Sequence, residues 1–215
     1  LYSSAASDVY KRQADGREFR RPTPHWTVTD EGLTGPDGTL HSLQLALPGR
    51  ANRGNAAQAI AGAVEAFGVD KHAAIAAAER VDDVAGRYTT ISWNDRDVHL
   101  LLAKNPAGWQ EALSMVDRDA DGLVIAVNGQ EGDGADLSWL WDVRFEEFED
   151  IPVKAAGERG TDLAVRLLYA EIEHELIHDP LDAIMACPPG RVEVLANYTA
   201  LLNLKKALVK EANHD

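Results

Sequence analysis

Cysteine, long hydrophobic runs and basic residues are all scarce in this 215-residue sequence. A single cysteine, Cys187, excludes an internal disulfide and any metal site built from several cysteines. No apolar run approaches the roughly 20 residues of a membrane span and no secretory leader is recognisable, so we expect a cytoplasmic protein without membrane insertion. The 21 basic residues stand against 35 acidic ones, a net charge of -14. That balance argues against a nucleic-acid or anionic-membrane surface.

Two enzyme signatures are also missing: there is no phosphate-binding G-x-x-x-x-G-K-[ST] loop and no Ser/His/Asp order. The motif HELIH at 174–178 would bind zinc if a helix placed both histidines on one face. However, Asp179-Pro180 ends a helix early. The next possible ligands are Glu193, in an apparent buried strand, and His214, at the chain end. We therefore predict a solvated helix end here and no metal site.

Composition divides the chain into three parts. Residues 1–13, LYSSAASDVYKRQ, have no apolar period and look like translated sequencing adapter, so we exclude them and expect the natural chain to extend further upstream. Residues 14–86 predict short strands followed by Ala-rich helices, with a domain boundary near Gly86. Residues 87–215 alternate apolar strands with amphipathic helices.

The third part predicts an α/β domain with a Rossmann-like, mostly parallel sheet covered on both faces. Predicted strands cover 98–103, 122–128 and 191–197, with another inside 148–157, and predicted helices cover 55–67, 71–81, 107–118 and 161–172, with a closing helix from 198. Ligands of such sheets bind beyond the carboxyl ends of the strands. This rule singles out the loops that begin at Lys104, Asn128, Gly157 and Asn197.

Polar residues stand at two predicted helix starts. Asn52 and Asn55 follow a Gly-containing turn, where their amides could face a nucleobase or simply favour the turn. Lys104 and Asn105 leave a predicted strand just before Pro106, which suits a phosphate or carboxylate site. The alternative is a capped helix start with one exposed lysine.

A third stretch, DGADLSWLWD, follows the strand predicted at 122–128. Asp136 could cap a short helix together with Ser138. Alternatively, Asp136 or Asp142 could offer a carboxylate at the sheet mouth to a substrate or a partner. Trp139 and Trp141, if exposed, would suit a protein interface.

Several ordered stretches resemble the MurT family, the Mur ligase-like subunits of lipid II isoglutaminyl synthase. The resemblance covers about 21–208 and rests on LPGRANRGNAAQAIAGA, AGR, LLAKNPAGWQEAL, DGADLSWLWDVRFE, TDLAVRLLYA and LANYTALLNL. It implies a Mur ligase C-terminal domain at 87–215, preceded at 14–86 by a remnant of the central ATP-binding domain. The implied reaction is ATP-dependent amidation of the D-glutamate α-carboxyl in the stem peptide of lipid II. Ammonia would come from a GatD-type class I glutamine amidotransferase subunit.

The resemblance also implies roles for individual residues. Asn52 and Asn55 match positions near adenine, Arg87 matches a junction arginine near ribose or phosphate, and Lys104 and Asn105 match a loop facing the nucleotide. Asp136, with Asp142 in reserve, would complete the Cys-His pair of the amidotransferase as the third triad member.

The sequence departs from the family pattern in several places. Ala51 stands where a histidine is usual, and Gly129-Gln130 replaces an Asp-Arg-like pair. The P-loop, the magnesium ligands and the four-cysteine zinc ribbon of the family are absent, so we expect the fragment alone to be inactive. Two alternatives remain open: another Mur-type amide ligase, of folylpolyglutamate or cyanophycin type, or a domain that only docks a partner.

Overall fold

The computed structural model describes residues 23–82, 88–146, 148 and 151–212. It divides into two compact units, the first ending at Leu43 and the second beginning at Gln44. The first unit contains a small antiparallel meander of three two-residue strands, β1 (Thr27–Val28), β2 (Leu33–Thr34) and β3 (Leu40–His41). No helix in the described residues is long and apolar enough to cross a membrane.

The second unit starts with two helices, α1 (Arg50–Phe67) and α2 (Lys71–Glu79). Helix α1 ends as predicted, at Gly68 in the left-handed conformation, whose N–H reaches carbonyls of the last turn. Asp70 caps α2, as predicted, by accepting the Ala73 N–H at 2.9 Å. Helix α1 begins at Arg50, five residues before the predicted start at Asn55.

Six strands form the sheet of the second unit, in the order β4-β5-β9-β6-β7-β8. Their bounds are β4 (Tyr88–Trp93), β5 (Arg96–Leu102), β6 (Gly122–Ala126), β7 (Val153–Ala156), β8 (His174–Leu176) and β9 (Gly190–Ala196). Strand β4 is antiparallel to β5, and the other neighbours are parallel. The predicted α/β class with a mostly parallel sheet is therefore confirmed.

Four helices and a 3-10 helix surround this sheet. They are α3 (Pro106–Met115), the 3-10 helix (Ser138–Asp142), α4 (Gly160–Tyr169), α5 (Pro180–Met185) and α6 (Tyr198–Ala212). Helices α3 and α4 pack on one face of the sheet and α5 and α6 on the other. Alternate strand residues feed the two cores: Ile125 belongs to the first and Val124 to the second. Both faces are covered, as the continuous apolar strands predict.

The prediction that a helix runs into HELIH was wrong. Helix α4 stops at Tyr169, the chain turns at Glu171 with φ 59, and His174–Leu176 is the short edge strand β8. Parallel pairing with β7 holds this strand, reinforced by an ion pair of 2.6 Å between Lys154 and Glu175. The two histidines of the motif therefore do not share the helix face that a zinc site of this type needs.

Candidate functional site

The carboxyl edge of the sheet forms a crevice between β9 and its neighbours. The chain leaves β5 for a helix on one face and leaves β9 for α6 on the opposite face. Loops that depart to opposite faces open a gap at the sheet edge, where ligands of open α/β sheets usually bind.

Two asparagines close the base of this crevice by reciprocal hydrogen bonds. The Asn128 N–H donates to Asn197 Oδ1 at 3.0 Å, and Asn197 Nδ2 donates to the Asn128 carbonyl at 2.7 Å. Both residues are buried. The pair fixes the ends of β6 and β9 relative to each other, so the loops beyond them start from a rigid platform.

The loop after β5 carries Lys104 and Asn105. Asn105 caps α3, because its Oδ1 accepts the Gly108 N–H at 2.8 Å. Lys104 is exposed and its Nζ lies 4.7 Å from the ring centroid of Tyr198, at the start of α6. The capping interpretation of Asn105 is confirmed, and Lys104 places a positive charge across the crevice.

A cleft of about 670 Å³ lies between α1 and the β5–α3 segment. Asn52 and Asn55 both line it, together with Tyr88 from β4 and Glu111 from α3. The remaining lining is mostly apolar: Leu45, Leu47, Ala51, Ala56, Ala59, Ala78, Val81, Leu102, Ala107, Gly108, Ala112 and Met115. Amides on apolar walls suit a flat, neutral ring system.

The polar groups of the cleft are held by short local contacts. Asn52 Nδ2 donates to the Pro48 carbonyl at 2.6 Å, and Glu111 Oε1 accepts the Ala51 N–H at 2.7 Å. The first bond is local to the start of α1, and the second connects the start of α1 to α3. Neither Lys104 nor Asn105 lines the cleft, and Arg87 lies outside the described residues.

Tyr88 connects the cleft to a buried polar network that sequence reasoning missed. Its hydroxyl lies 3.0 Å from His99 Nδ1, and Glu193, which is fully buried, pairs with Arg191 at 2.7 Å. Arg191 also pairs with Asp117 at 2.9 Å. Burial raises the pKa of Tyr88, and the Glu193 carboxylate adds to this, whereas burial and then Arg191 lower the pKa of His99. Pairing of distant strands assembles this network, so no sequence motif reveals it.

Three aspartates in the loop after β6 have different environments. Asp133 accepts the Thr199 N–H at 3.0 Å and the Thr199 hydroxyl, tying the loop to α6. Asp136 is exposed, and its Oδ1 accepts the Ser138 N–H at 2.8 Å, which holds the pKa of Asp136 below its usual range. Asp142 is exposed at the end of the 3-10 helix. Asp136 accepts the N–H of Ser138, the first residue of the 3-10 helix, although the N-cap position itself, Leu137, has no side-chain cap. The role of Asp136 toward a partner stays a prediction.

The two tryptophans of this loop differ in exposure. Trp139 stacks on the buried Trp109 with ring centroids 5.5 Å apart. Trp141 is 56% exposed and meets Tyr169 of α4 edge to face at 5.3 Å. Of the two tryptophans, it is Trp141 that offers an exposed apolar surface beside this loop, next to the exposed ring of Tyr169.

The described residues contain no group of three His, Cys, Asp or Glu side chains that could hold a metal. A nucleotide fits the site in part, because the cleft has the size and lining for a base. Among the described residues, the lining contains no lysine or arginine, so that part of the cleft offers no cation to phosphates.

Comparison with known proteins finds one matching family model and several similar proteins. Residues 102–201 match the family described as MurT ligase C-terminal. A curated relative, the MurT subunit of lipid II isoglutaminyl synthase (glutamine-hydrolyzing) from Streptococcus pneumoniae, is 29% identical over 183 residues. The match covers 80% of this chain but only 40% of that relative.

Solved structures share the fold at low sequence identity. The UDP-N-acetylmuramate-alanine ligase MurC of Thermotoga maritima is similar with a TM-score of 0.60 at 14% identity, covering 85% of this chain and 42% of that one. The E. coli FolC structure in complex with ADP is similar with a TM-score of 0.54 at 21% identity, covering 95% of this chain and 51% of that one.

Proposed function

We propose, from the match of residues 102–201 to the family described as MurT ligase C-terminal, that the chain is part of the synthetase subunit of a lipid II amidating enzyme. The chain carries the C-terminal part of a Mur-type ligase. The proposed reaction is ATP-dependent amidation of the D-glutamate α-carboxyl in the lipid II stem peptide, in the cytoplasm. Its nitrogen would come from a separate GatD-type class I glutamine amidotransferase.

Chemistry explains why such a reaction needs two proteins. A carboxylate is a poor acyl donor until it is phosphorylated, and ammonia must reach the activated acyl group without being protonated in water. The ligase subunit supplies the nucleotide site, and the partner releases ammonia from glutamine. We place the phosphate-binding loop and the magnesium ligands in the part of the natural protein upstream of this chain.

The main support for the proposal is the acidic loop, the segment after β6 that contains Asp133, Asp136 and Asp142. A triad aspartate must be ionised and must reach the partner's histidine from the surface. Asp136 meets both requirements, because it is exposed and hydrogen bonds from Ser138 hold its pKa low. Asp142, six residues further along the chain, is the second candidate. The exposed ring of Trp141 lies between them in sequence and would pack against the same partner.

Paired variants test the triad role in the complex with a GatD-type amidotransferase. We expect Asp136→Asn to bind the partner normally and to lower its glutaminase activity by about 10²- to 10⁴-fold. Asp119→Asn is the matched control, since this exposed aspartate precedes β6 and lies at the opposite edge of the sheet. If Asp142→Asn rather than Asp136→Asn abolishes activity, the role moves to Asp142. Full activity in both variants would reject the proposal, and docking without any activation would favour a domain that only binds a partner.

Nucleotide binding is tested separately. We propose that Asn52 and Asn55 bind the adenine base and that Lys104 and Arg87 approach the phosphates. Calorimetric titration should then give adenosine binding that Asn55→Ala weakens about tenfold, the loss of one good hydrogen bond. Lys104→Ala should weaken ADP but not adenosine. Equal effects of Lys104→Ala on both ligands would contradict this division.

A further inference from the structure

A second cavity, of about 470 Å³, lies at the carboxyl ends of β6 and β7 on the opposite side of the sheet from the nucleotide cleft. The start of α5 and one side of α6 form its walls, with Leu181, Ala200 and Leu204 as apolar lining. Polar residues gather at the end nearest the strands: Asn128, Glu158, His178, Asp179 and Asn203.

Asn128 is the central residue of this cavity, and it is only 4% exposed. Its backbone N–H and carbonyl both bond to Asn197, and its Oδ1 accepts the Glu158 N–H at 3.0 Å. These bonds fix the orientation of the amide and leave Nδ2 as its remaining polar atom. Within the described part of the chain Nδ2 has no hydrogen-bond partner, although Asn128 itself is nearly buried. Because Nδ2 is reached by solvent at the cavity wall, it can donate to a carbonyl-type oxygen of a bound molecule.

Three of the other polar residues of the cavity offer acceptors, and the exposed Asn203 amide can both donate and accept. His178 Nδ1 lies 3.3 Å from the Gly157 carbonyl, which requires a proton on Nδ1 and leaves Nε2 as the acceptor of the neutral ring. Glu158 and Asp179 add two carboxylates, and the part of the lining that the structure describes includes no lysine or arginine. An anion would be repelled, whereas a neutral group with one carbonyl and N–H donors satisfies both kinds of partner.

We propose that this cavity binds a primary carboxamide on a short apolar stem. The carbonyl oxygen accepts from Asn128 Nδ2, the NH₂ group donates toward Glu158 or His178, and the stem packs on Leu181 and Leu204. This binding site does not depend on the proposed ligase activity, because no nucleotide or partner contributes to it.

Nuclear magnetic resonance of the isotope-labelled full chain tests the site with propionamide as the probe and propionate as its matched anion. We expect propionamide to shift the Asn128 side-chain amide signals along a saturable curve in the millimolar range, as small ligands do. Propionate should bind at least tenfold more weakly. Equal shifts from the two probes, or no saturable shift up to the solubility limit of propionamide, would overturn the proposal.

Two variants and one control locate the binding. Asn128→Asp keeps the acceptor for the Glu158 N–H but removes the donor, so propionamide binding should fall at least tenfold. Ala207→Leu fills the cavity from the half-buried side of α6 and should also block binding, which keeps the test decisive if Asn128→Asp does not fold. Asn52→Ala, in the nucleotide cleft, should leave propionamide binding unchanged. Undiminished binding in a folded Asn128→Asp or Ala207→Leu variant would contradict the assignment.

Discussion

The guanidinium of Arg96 holds the Cys187 carbonyl with two donors, Nε at 3.2 Å and Nη2 at 2.7 Å. The same group donates to the carbonyls of Met185 at 3.0 Å and Asn94 at 2.7 Å. Arg96 begins β5, so one nearly buried cation joins the end of α5 to the β4–β5 turn. It satisfies carbonyls that a short helix leaves without partners and places a positive charge at the negative end of the helix.

Removing this cation should destabilise the second unit. We expect Arg96→Gln to lower the free energy of unfolding by about 2–4 kcal/mol, because several buried carbonyls lose a charged donor at once. Urea unfolding followed by circular dichroism measures the change. Arg159→Gln is the control: it loses a solvent-exposed pair with Asp162, so its loss of stability should be much smaller. A loss in Arg96→Gln as small as that in Arg159→Gln would show that the Arg96 contacts contribute little.

The sequence predicts the main sheet because its strands are continuous apolar runs between turn signals. Strand β6 is buried at every position, as expected for a strand inside a sheet that is covered by helices on both faces. The edge strand β8 has no such pattern, because its three residues are held by pairing with β7 and not by an apolar run of their own. The helical periodicity of the preceding residues instead led to the prediction of a helix end at this position. Helix α5 was also missed, although Asp179 before Pro180 is a good N-cap signal.

The site was predictable only where local motifs carry it. Asn105 before Pro106 correctly indicates a capped helix, and Asn52 and Asn55 do line one cleft. Glu111 and Tyr88 complete that cleft from distant positions in the chain, so the fold alone brings them there. Long-range pairing is the part of the structure that spacing rules cannot reach.

Cys187 should react slowly with thiol reagents. It is 2% exposed, its Sγ donates to the Ala183 carbonyl at 3.4 Å, and burial raises the pKa of its thiol. We expect labelling at least about 10³-fold slower than in the unfolded chain, because reaction must wait for local opening. Because the chain has one cysteine, absorbance of the released reagent reports this position alone.

An exposed thiol provides the control for that measurement. Ser114→Cys places a second thiol on the exposed side of α3 and should add one fast-reacting equivalent. The slow phase should quicken in Arg96→Gln, because that variant frees the Cys187 carbonyl. Two fast equivalents in Ser114→Cys would contradict the buried position of Cys187.

Glu193 should make stability depend on pH. It is fully buried between β5 and β6, its Oε2 has no partner within the described residues, and burial raises its pKa more than Arg191 lowers it. A raised pKa means that the folded state holds the proton more tightly than the unfolded state. The resulting stabilisation is present below the usual glutamate range and is lost as pH rises through the raised pKa.

The comparison with Glu193→Gln isolates this effect, since glutamine cannot ionise. We expect the wild-type chain to lose stability relative to Glu193→Gln as the pH rises from about 4 to about 8. Unfolding of both proteins in urea at several pH values measures the difference. A difference that stays constant, or that changes in the opposite direction, would mean that Arg191 keeps Glu193 ionised at low pH.

Two glycines with similar backbone angles should respond very differently to alanine. Gly157, φ 91, follows β7, and a Cβ there would collide with the Val127 backbone. Gly134, φ 88, lies in the acidic loop, and a Cβ there would meet nothing within 4 Å. We expect Gly134→Ala to cost about 1–2 kcal/mol, the conformational penalty alone. Gly157→Ala should cost clearly more, about 3–5 kcal/mol, because rigid backbone must also move.

The same pair separates strain from function. Gly157 donates its N–H to the His178 carbonyl at 2.9 Å, so its displacement would disturb the carboxamide cavity as well as the sheet edge. Propionamide binding should therefore weaken in any folded Gly157→Ala protein and persist in Gly134→Ala. Equal unfolding free energies for the two variants would mean that the ends of β6 and β7 can separate without cost, and the collision inferred between a Gly157 Cβ and the Val127 backbone would then be wrong.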